Sequence, residues 1–139
     1  MIVLDTNVIS EILRPQPDGK VSDWLAMQPL SALFTTAITQ AEVFYGVGLL
    51  PEGRRRNDLL AATRPIFEND LSGRVLAFDA DAAVSYADIA TNRRRLGHPI
   101  SQFDAQIAAI VHSRGATLAT RNVRDFIDCG IAVIDPWAT

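Results

Sequence analysis

Asp5, Glu42, Asp104, Asn122 and Asp125 are the side chains whose types and positions could do chemistry. Asp5 closes the apolar run Ile2–Leu4. Glu42 lies in Thr39-Gln40-Ala41-Glu42, and Asp104 lies in Ser101-Gln102-Phe103-Asp104. Asn122 and Asp125 stand in Thr120-Arg121-Asn122-Val123-Arg124-Asp125. Each alone has a structural explanation. Thr39-x-x-Glu42 has the pattern of a capping box, and Ser101-x-x-Asp104 resembles one. Asp5 and Asn122 are good N-cap residues, and acids in first turns complement the helix dipole. As a set they suggest more. Several anionic oxygens on one rim repel each other unless a hard divalent cation sits among them. Mg²⁺ prefers oxygen ligands and needs only one or two carboxylates besides waters and substrate phosphate. Helix N-termini nearby would favour ionised carboxylates and offer N–H groups to a phosphate. The chemistry this suits is metal-assisted hydrolysis of a phosphodiester.

The elements that must position these groups follow from pattern. Ile2–Leu4, Ala32–Thr35, Arg74–Phe78, Thr117–Thr120 and Ile131–Ile134 read as short apolar strands. Between them, helical spacing covers Thr6–Leu13, Val21–Met27, Gln40–Leu50, Arg54–Asn69, Ala80–Arg95 and Phe103–Arg114, with a short turn at Arg124–Ile127. Arg14-Pro15-Gln16-Pro17, Pro51-Glu52-Gly53 and Gly97-His98-Pro99 break the pattern. Strands alternating with helices predict an α/β fold with a mostly parallel sheet and right-handed crossovers. In such a sheet Asp5, Glu42 and the Asn122–Asp125 segment fall at the carboxyl edge, where small α/β folds place their chemistry. Asp104 joins them, because its helix must start on that edge for the next strand to run back across.

With 139 residues and 48% hydrophobic composition, the chain is expected to form one domain over 1–139 with a real core. The single cysteine, Cys129, allows no intrachain disulfide, which favours a reducing, cytoplasmic setting. No apolar run approaches the ~20 residues of a membrane span, and Ile2–Leu4 is too short for a signal peptide. The net charge of −3 excludes a generic basic nucleic-acid coat protein, so any nucleic-acid binding must be local or metal-assisted. There is no P-loop, because Gly19-Lys20 runs into Val21. There is also no GxGxxG after a strand, no zinc spacing among Cys129, His98 and His112, and no serine nucleophile elbow.

The segments IVLDTNVISEILRP, TTAITQAEVFYGVGLL, GHPISQFDAQIAAIVHSRGATLATRNVRDF and IAVIDPWAT, in this order, resemble PIN-domain proteins, and among them the VapC-type (FitB-like) ribonuclease toxins. Arg54–Arg95 carries the resemblance least. The resemblance implies a PIN-like α/β/α sandwich with a central parallel sheet of four or five short strands. It implies Mg²⁺ or Mn²⁺ and cleavage of single-stranded RNA by metal-activated water. It also implies a VapB-type antitoxin that blocks the site and contacts operator DNA through its own domain, and a homodimeric toxin. By position, Asp5, Glu42 and Asp104 match the three main family acids, as metal ligands and catalytic groups. Many family members carry a fourth acid where this chain has Asn122. The amide would weaken a second metal site, with Asp125 three residues on. Thr6 and Thr120 are candidates to brace a metal-binding carboxylate or to contact phosphate, or are simple caps. Arg121 and Arg124 are placed to meet RNA phosphate.

Twelve of the thirteen basic residues are arginine. Arg54-Arg55-Arg56 and Arg93-Arg94-Arg95 read as solvated helix faces. Trp24, Phe44 and Tyr45 read as core, or in part as a groove for an antitoxin helix. Two rival readings stand beside the nuclease. One is a degenerate PIN module that binds antitoxin or RNA without catalysis, which the amide at Asn122 would favour. The other is a phosphatase of haloacid dehalogenase type, against which Asn7 stands where a second aspartate is expected.

Overall fold

The computed structural model describes residues 1–139. Five strands, β1 (Ile2–Leu4), β2 (Leu33–Thr36), β3 (Val75–Leu76), β4 (Thr117–Ala119) and β5 (Ala132–Ile134), form one sheet in the order β3-β2-β1-β4-β5. Every pairing is parallel, with Val3 opposite both Phe34 and Leu118, and Leu118 opposite Val133. The sheet therefore runs one way across the molecule, and β1 sits at its centre. Helices α1 (Thr6–Ile12), α2 (Gly19–Ala26), α3 (Ala37–Gly48), α4 (Arg54–Pro65), α5 (Ala80–Arg95) and α6 (Gln102–Ser113) make the crossovers.

Side-chain alternation along the strands divides the core in two. Val3, Phe34, Leu76, Leu118 and Val133 point to a layer with Ile89, Ile107, Ile110 and Val111 from α5 and α6. Ile2, Leu4, Leu33, Val75, Ala119 and Ile134 point to the other layer, with Val8, Ile9, Val21, Trp24, Val43 and Phe67. Period-two strands covered on both faces give the expected α/β/α sandwich. No helix is long and apolar enough to cross a membrane.

The elements match the sequence pattern with two informative exceptions. α3 begins at Ala37, not at Gln40, because Thr36 at the end of β2 is the N-cap and accepts a 3.0 Å bond from Thr39 N. The expected Thr39–Glu42 box is therefore absent, and both residues are free to face another partner. The helix expected to run unbroken over Arg54–Asn69 stops at Pro65. Proline removes one backbone donor and crowds the carbonyl four residues back. The chain widens into a π-turn over Ile66–Asp70, closed by Leu71 N donating to Ile66 O at 2.8 Å.

α5 and α6 form an antiparallel pair. Ser85, early in α5, meets His112, late in α6, at 2.9 Å, and Asp79 pairs with Arg114 at 3.7 Å. The end of α5 is thereby brought beside the start of α6, which puts Arg93 near Asp104. Because Thr36 starts α3 and thereby sets where Glu42 lies, Thr36→Ala is expected to cost about 1 kcal/mol in urea unfolding. Thr36→Ser should recover most of that loss.

Candidate metal centre

β1 delivers Asp5 to the middle of the carboxyl edge and leaves it only 4% exposed. Its conformation is fixed from two sides. Oδ1 accepts from Thr6 N at 2.8 Å, the N-cap bond of α1. Oδ2 accepts from the Thr120 hydroxyl at 2.7 Å. Asn7 then ties the two strand ends together: its Nδ2 donates to Thr120 Oγ1 at 3.1 Å and its Oδ1 accepts from Arg121 N at 3.2 Å. Capping and site-building are thus served by the same turn.

Glu42 lies in the second turn of α3 and accepts from the Thr6 hydroxyl at 2.8 Å. Thr6 also lies 3.1 Å from Thr39, so Thr39 braces α1 against α3 instead of opening a capping box. Asp104 follows Ser101, the N-cap of α6, whose hydroxyl accepts from Asp104 N at 3.2 Å. Asp5, Glu42 and Asp104 line one open cavity of about 530 Å³, together with Thr6, Asn7, Ser10, Glu11, Arg14, Arg121, Asn122 and Trp137. Thr120 lies behind Asp5, fully buried. Arg124 and Asp125 are exposed and do not line the cavity, so of the two arginines named from sequence only Arg121 reaches it. Asn122 makes no side-chain capping bond to the short turn that follows it. Its N–H donates to Thr120 Oγ1 at 3.1 Å and its side chain is left for the cavity.

The electrostatics are those of crowded, partly desolvated carboxylates. Burial raises the Asp5 pKa to about 6; the Thr120 and Thr6 hydrogen bonds oppose this, and the charges of Asp104 and Glu42 add to it. Burial also raises Glu42, against its Thr6 bond and with the Asp104 charge. Asp104 is raised by burial against its Ser101 bond; Asp125 adds to the rise, and Arg93 opposes it. Hard oxygen donors that repel one another across a cavity are the donor set a Mg²⁺ or Mn²⁺ ion suits. They do not form a closed cage, since no three His, Cys, Asp or Glu side chains converge closely enough to hold one ion between them. Two carboxylates with waters, or a shift of one side chain, meet the needs of Mg²⁺.

Two residues of this region escape a sequence reading. Trp137, three residues beyond β5, is the one apolar side chain lining the cavity. Arg93 corrects the expectation of a solvated face: it is 6% exposed, and only Arg94 and Arg95 are exposed. Its Nε donates to His98 O at 2.8 Å, and its Nη1 donates to Asp125 O at 2.8 Å and Ile127 O at 3.0 Å. Nη1 also lies 3.5 Å from the Cys129 thiol, whose pKa burial raises. Arg93 thus holds the chain after Asn122, which includes Asp128 at a positive φ of 61°. The run Arg93-Arg94-Arg95 itself carries no signal that singles out Arg93, because burial depends on what packs against the helix.

None of the aromatic residues expected as core or groove, Trp24, Phe44 and Tyr45, lines the cleft between α1, α3 and α4. Trp24 is core, and Phe44 packs on Phe67 with ring centroids 5.5 Å apart. Tyr45 and Leu49 are 69% and 66% exposed.

Comparison with known proteins finds relatives that match the chain over nearly its whole length. The family described as PIN domain matches residues 2–130. A VapC ribonuclease, Y4jK of Sinorhizobium fredii, is 40% identical over 99% of this chain and 98% of its own length. The toxin FitB of Neisseria gonorrhoeae is 40% identical over 99% of both chains. A solved structure of FitAB bound to a DNA fragment superposes with a TM-score of 0.92 at 40% identity, covering 99% of this chain and 96% of that one.

Two outcomes follow from the charge arrangement. The folded chain holds the Asp5 proton more tightly than the unfolded chain does, so Asp5 adds stability below about pH 4 that is lost as pH rises through about 6. Without metal, Asp5→Asn should therefore be more stable than the parent at pH 7, by about 1–3 kcal/mol, and the gap should close near pH 4. Urea titrations in EDTA at the two pH values check this. Arg93→Ala removes three hydrogen bonds to part-buried carbonyls from a buried guanidinium and is expected to cost about 3 kcal/mol. It should also accelerate amide hydrogen exchange across Asn122–Cys129, and Arg93→Lys should restore only part of that protection.

Proposed function

The chain belongs to the PIN-domain family, and from that premise we propose that it is a metal-dependent endoribonuclease acting as the toxin of a toxin–antitoxin pair. The observation that carries this reading is the placement of Asp5, Glu42 and Asp104 on one cavity, partly stripped of water and mutually repelling. The naming of one relative as a VapC ribonuclease and another as a toxin supports the substrate and the role. Family membership removes the haloacid-dehalogenase alternative.

Two of the acids Asp5, Glu42 and Asp104 with waters, or all three after a shift of one side chain, would hold Mg²⁺ or Mn²⁺, which when bound supplies Lewis acidity toward water and the departing oxygen. The protein's own contribution is orientation. Thr6 N and the Thr120 hydroxyl each hold one Asp5 oxygen, leaving the remaining lone pairs for the cavity. The Thr6 hydroxyl aims Glu42 and leaves its second oxygen to accept a proton or a water. Arg121, with no carboxylate partner, offsets negative charge where an RNA backbone would enter. Hydrolysis adds water across a phosphodiester of single-stranded RNA and leaves 5′-phosphate and 3′-hydroxyl ends. The neutral Asn122 in the same cavity fits one firmly held ion and a second that depends on substrate phosphate.

The partner in this reading is a VapB-type antitoxin, and the likeness to FitAB bound to DNA supports operator contact through that partner. A groove between α1, α3 and α4, lined by Leu13, Val43, Val47 and Leu59, opens into the acid cavity through Thr6, Ser10, Arg14 and Glu42. An amphipathic antitoxin segment lying there would cover the site.

Purified protein should cleave a mixed single-stranded RNA pool with Mn²⁺ or Mg²⁺ and not with EDTA. Asp104→Asn, purified identically, should lose activity on the order of a hundred-fold or more. At a hundred times the dissociation constant, Mn²⁺ should stabilise the parent by about 2.7 kcal/mol and Asp5→Asn by much less. Equal cleavage by parent and Asp104→Asn would remove the site assignment. Absence of any Mn²⁺ stabilisation would favour the non-catalytic binding module.

A further inference from the structure

Resting on the ribonuclease reading, we infer that Trp137 and Arg121 form a nucleobase platform on the rim of the acid cavity, where a base of single-stranded RNA stacks beside the phosphodiester being cut. The cavity is otherwise polar and charged, and Trp137 is its one apolar wall. The indole is only half-buried and is held in place. Trp137 packs against the same apolar cluster as Ile134, and its backbone N donates to Asp135 Oδ1 at 2.9 Å. Arg121 lies over it, with its guanidinium carbon 5.2 Å from the ring centroid.

Neither residue is accounted for by stability alone. Trp24 is buried within the core at 9% exposure, whereas Trp137 packs on that core only in part and also lines the acid cavity. Arg121 has no carboxylate within salt-bridge distance, although Asp5, Glu42 and Asp104 line the same cavity. Its backbone is fixed by Asn7, which leaves the side chain alone free to move. A cation resting on a half-buried aromatic face, with no carboxylate partner, is only modestly held. A planar base can take its place on the indole, or stack on the guanidinium itself, while the charge turns to the adjacent phosphate. The two residues follow β4 and β5, the pair of strands next to Asp5, so the platform and the acids are set by one sheet edge. Stacking tolerates any base but needs one to be present. The platform therefore selects unpaired, splayed nucleotides over duplex, whose bases are already stacked on each other.

The test uses Asp104→Asn, which cuts poorly and, having lost one negative charge, repels RNA less. Its binding to a labelled single-stranded 8-nucleotide RNA is compared with the same background carrying Trp137→Ala, Trp137→Phe or Arg121→Ala. An abasic site is walked through the oligonucleotide against each protein. The platform predicts about ten-fold weaker binding for Trp137→Ala and near-parent binding for Trp137→Phe. One abasic position should cost a similar factor in the parent and nothing further in Trp137→Ala. Arg121→Ala should lower the salt dependence of binding by about one phosphate contact. Should Trp137→Ala fold poorly, quenching of tryptophan emission by RNA on the unsubstituted indole reads the same contact, since Trp24 is shielded. Binding of Trp137→Ala within two-fold of the parent, with all abasic positions equal, overturns the platform and leaves the nuclease reading intact. Failure of Asp104→Asn itself to bind any single-stranded RNA overturns the nuclease reading and the platform with it.

Discussion

Asp5 is a carboxylate taken out of water at the centre of a parallel sheet, and the rim around it is arranged to hold that charge in one orientation. Burial alone would drive the group to its neutral form, as its raised pKa records. The Thr6 N–H and the Thr120 hydroxyl oppose that tendency and fix both oxygens. Each support belongs to a different part of the sequence. α1 supplies Thr6 and Asn7, the end of β4 supplies Thr120, and Thr39 from α3 steadies Thr6. The residual repulsion among Asp5, Glu42 and Asp104 is left unneutralised by the protein. A structure selected for stability alone would not keep it, and a divalent cation removes it.

The second constraint is the buried Arg93. A guanidinium in the interior needs acceptors, and this one finds them in backbone carbonyls, not in a carboxylate. Carbonyl partners leave its positive charge uncancelled beside Asp104, where it opposes the effect of burial. The same bonds hold the chain between Asn122 and Cys129, the stretch that gives the cavity its Asn122 wall. One side chain thus couples the antiparallel packing of α5 on α6 to the shape of the site. The expectation of three solvated arginines failed here because a run of like residues on a helix shows only composition, while the helix faces are set by what packs against them.

Much of the fold was legible because its signals are local. Short apolar runs alternating with helical spacing located the five strands, and Asp5 and Ser101, both readable as caps, do cap α1 and α6. The start of α3 is not legible because Thr36 and Thr39 both suit a cap, and only the end of β2 decides between them. The break at Pro65 is likewise local, but helical spacing continues across it, so the pattern alone reads as one helix. At the site, the acids were recognisable by type and by their place at pattern boundaries. Thr120 and Thr6 were recognisable only as hydroxyls of undecided role, since a hydroxyl's function depends on which oxygen it faces.

By itself the sequence determined the alternation of strand and helix, and with it the carboxyl edge on which Asp5, Glu42, Asp104 and Asn122 gather, because strand direction and crossover handedness leave little choice. Tertiary structure decided what lies between those residues. It separated Arg121, which reaches the cavity, from Arg124, which does not, and it buried Arg93 while leaving Arg94 and Arg95 in water. It also brought Trp137 onto the rim through the pairing of β4 with β5. These are contacts between segments far apart in the chain, and their distances are set by packing, which no local pattern of residues contains.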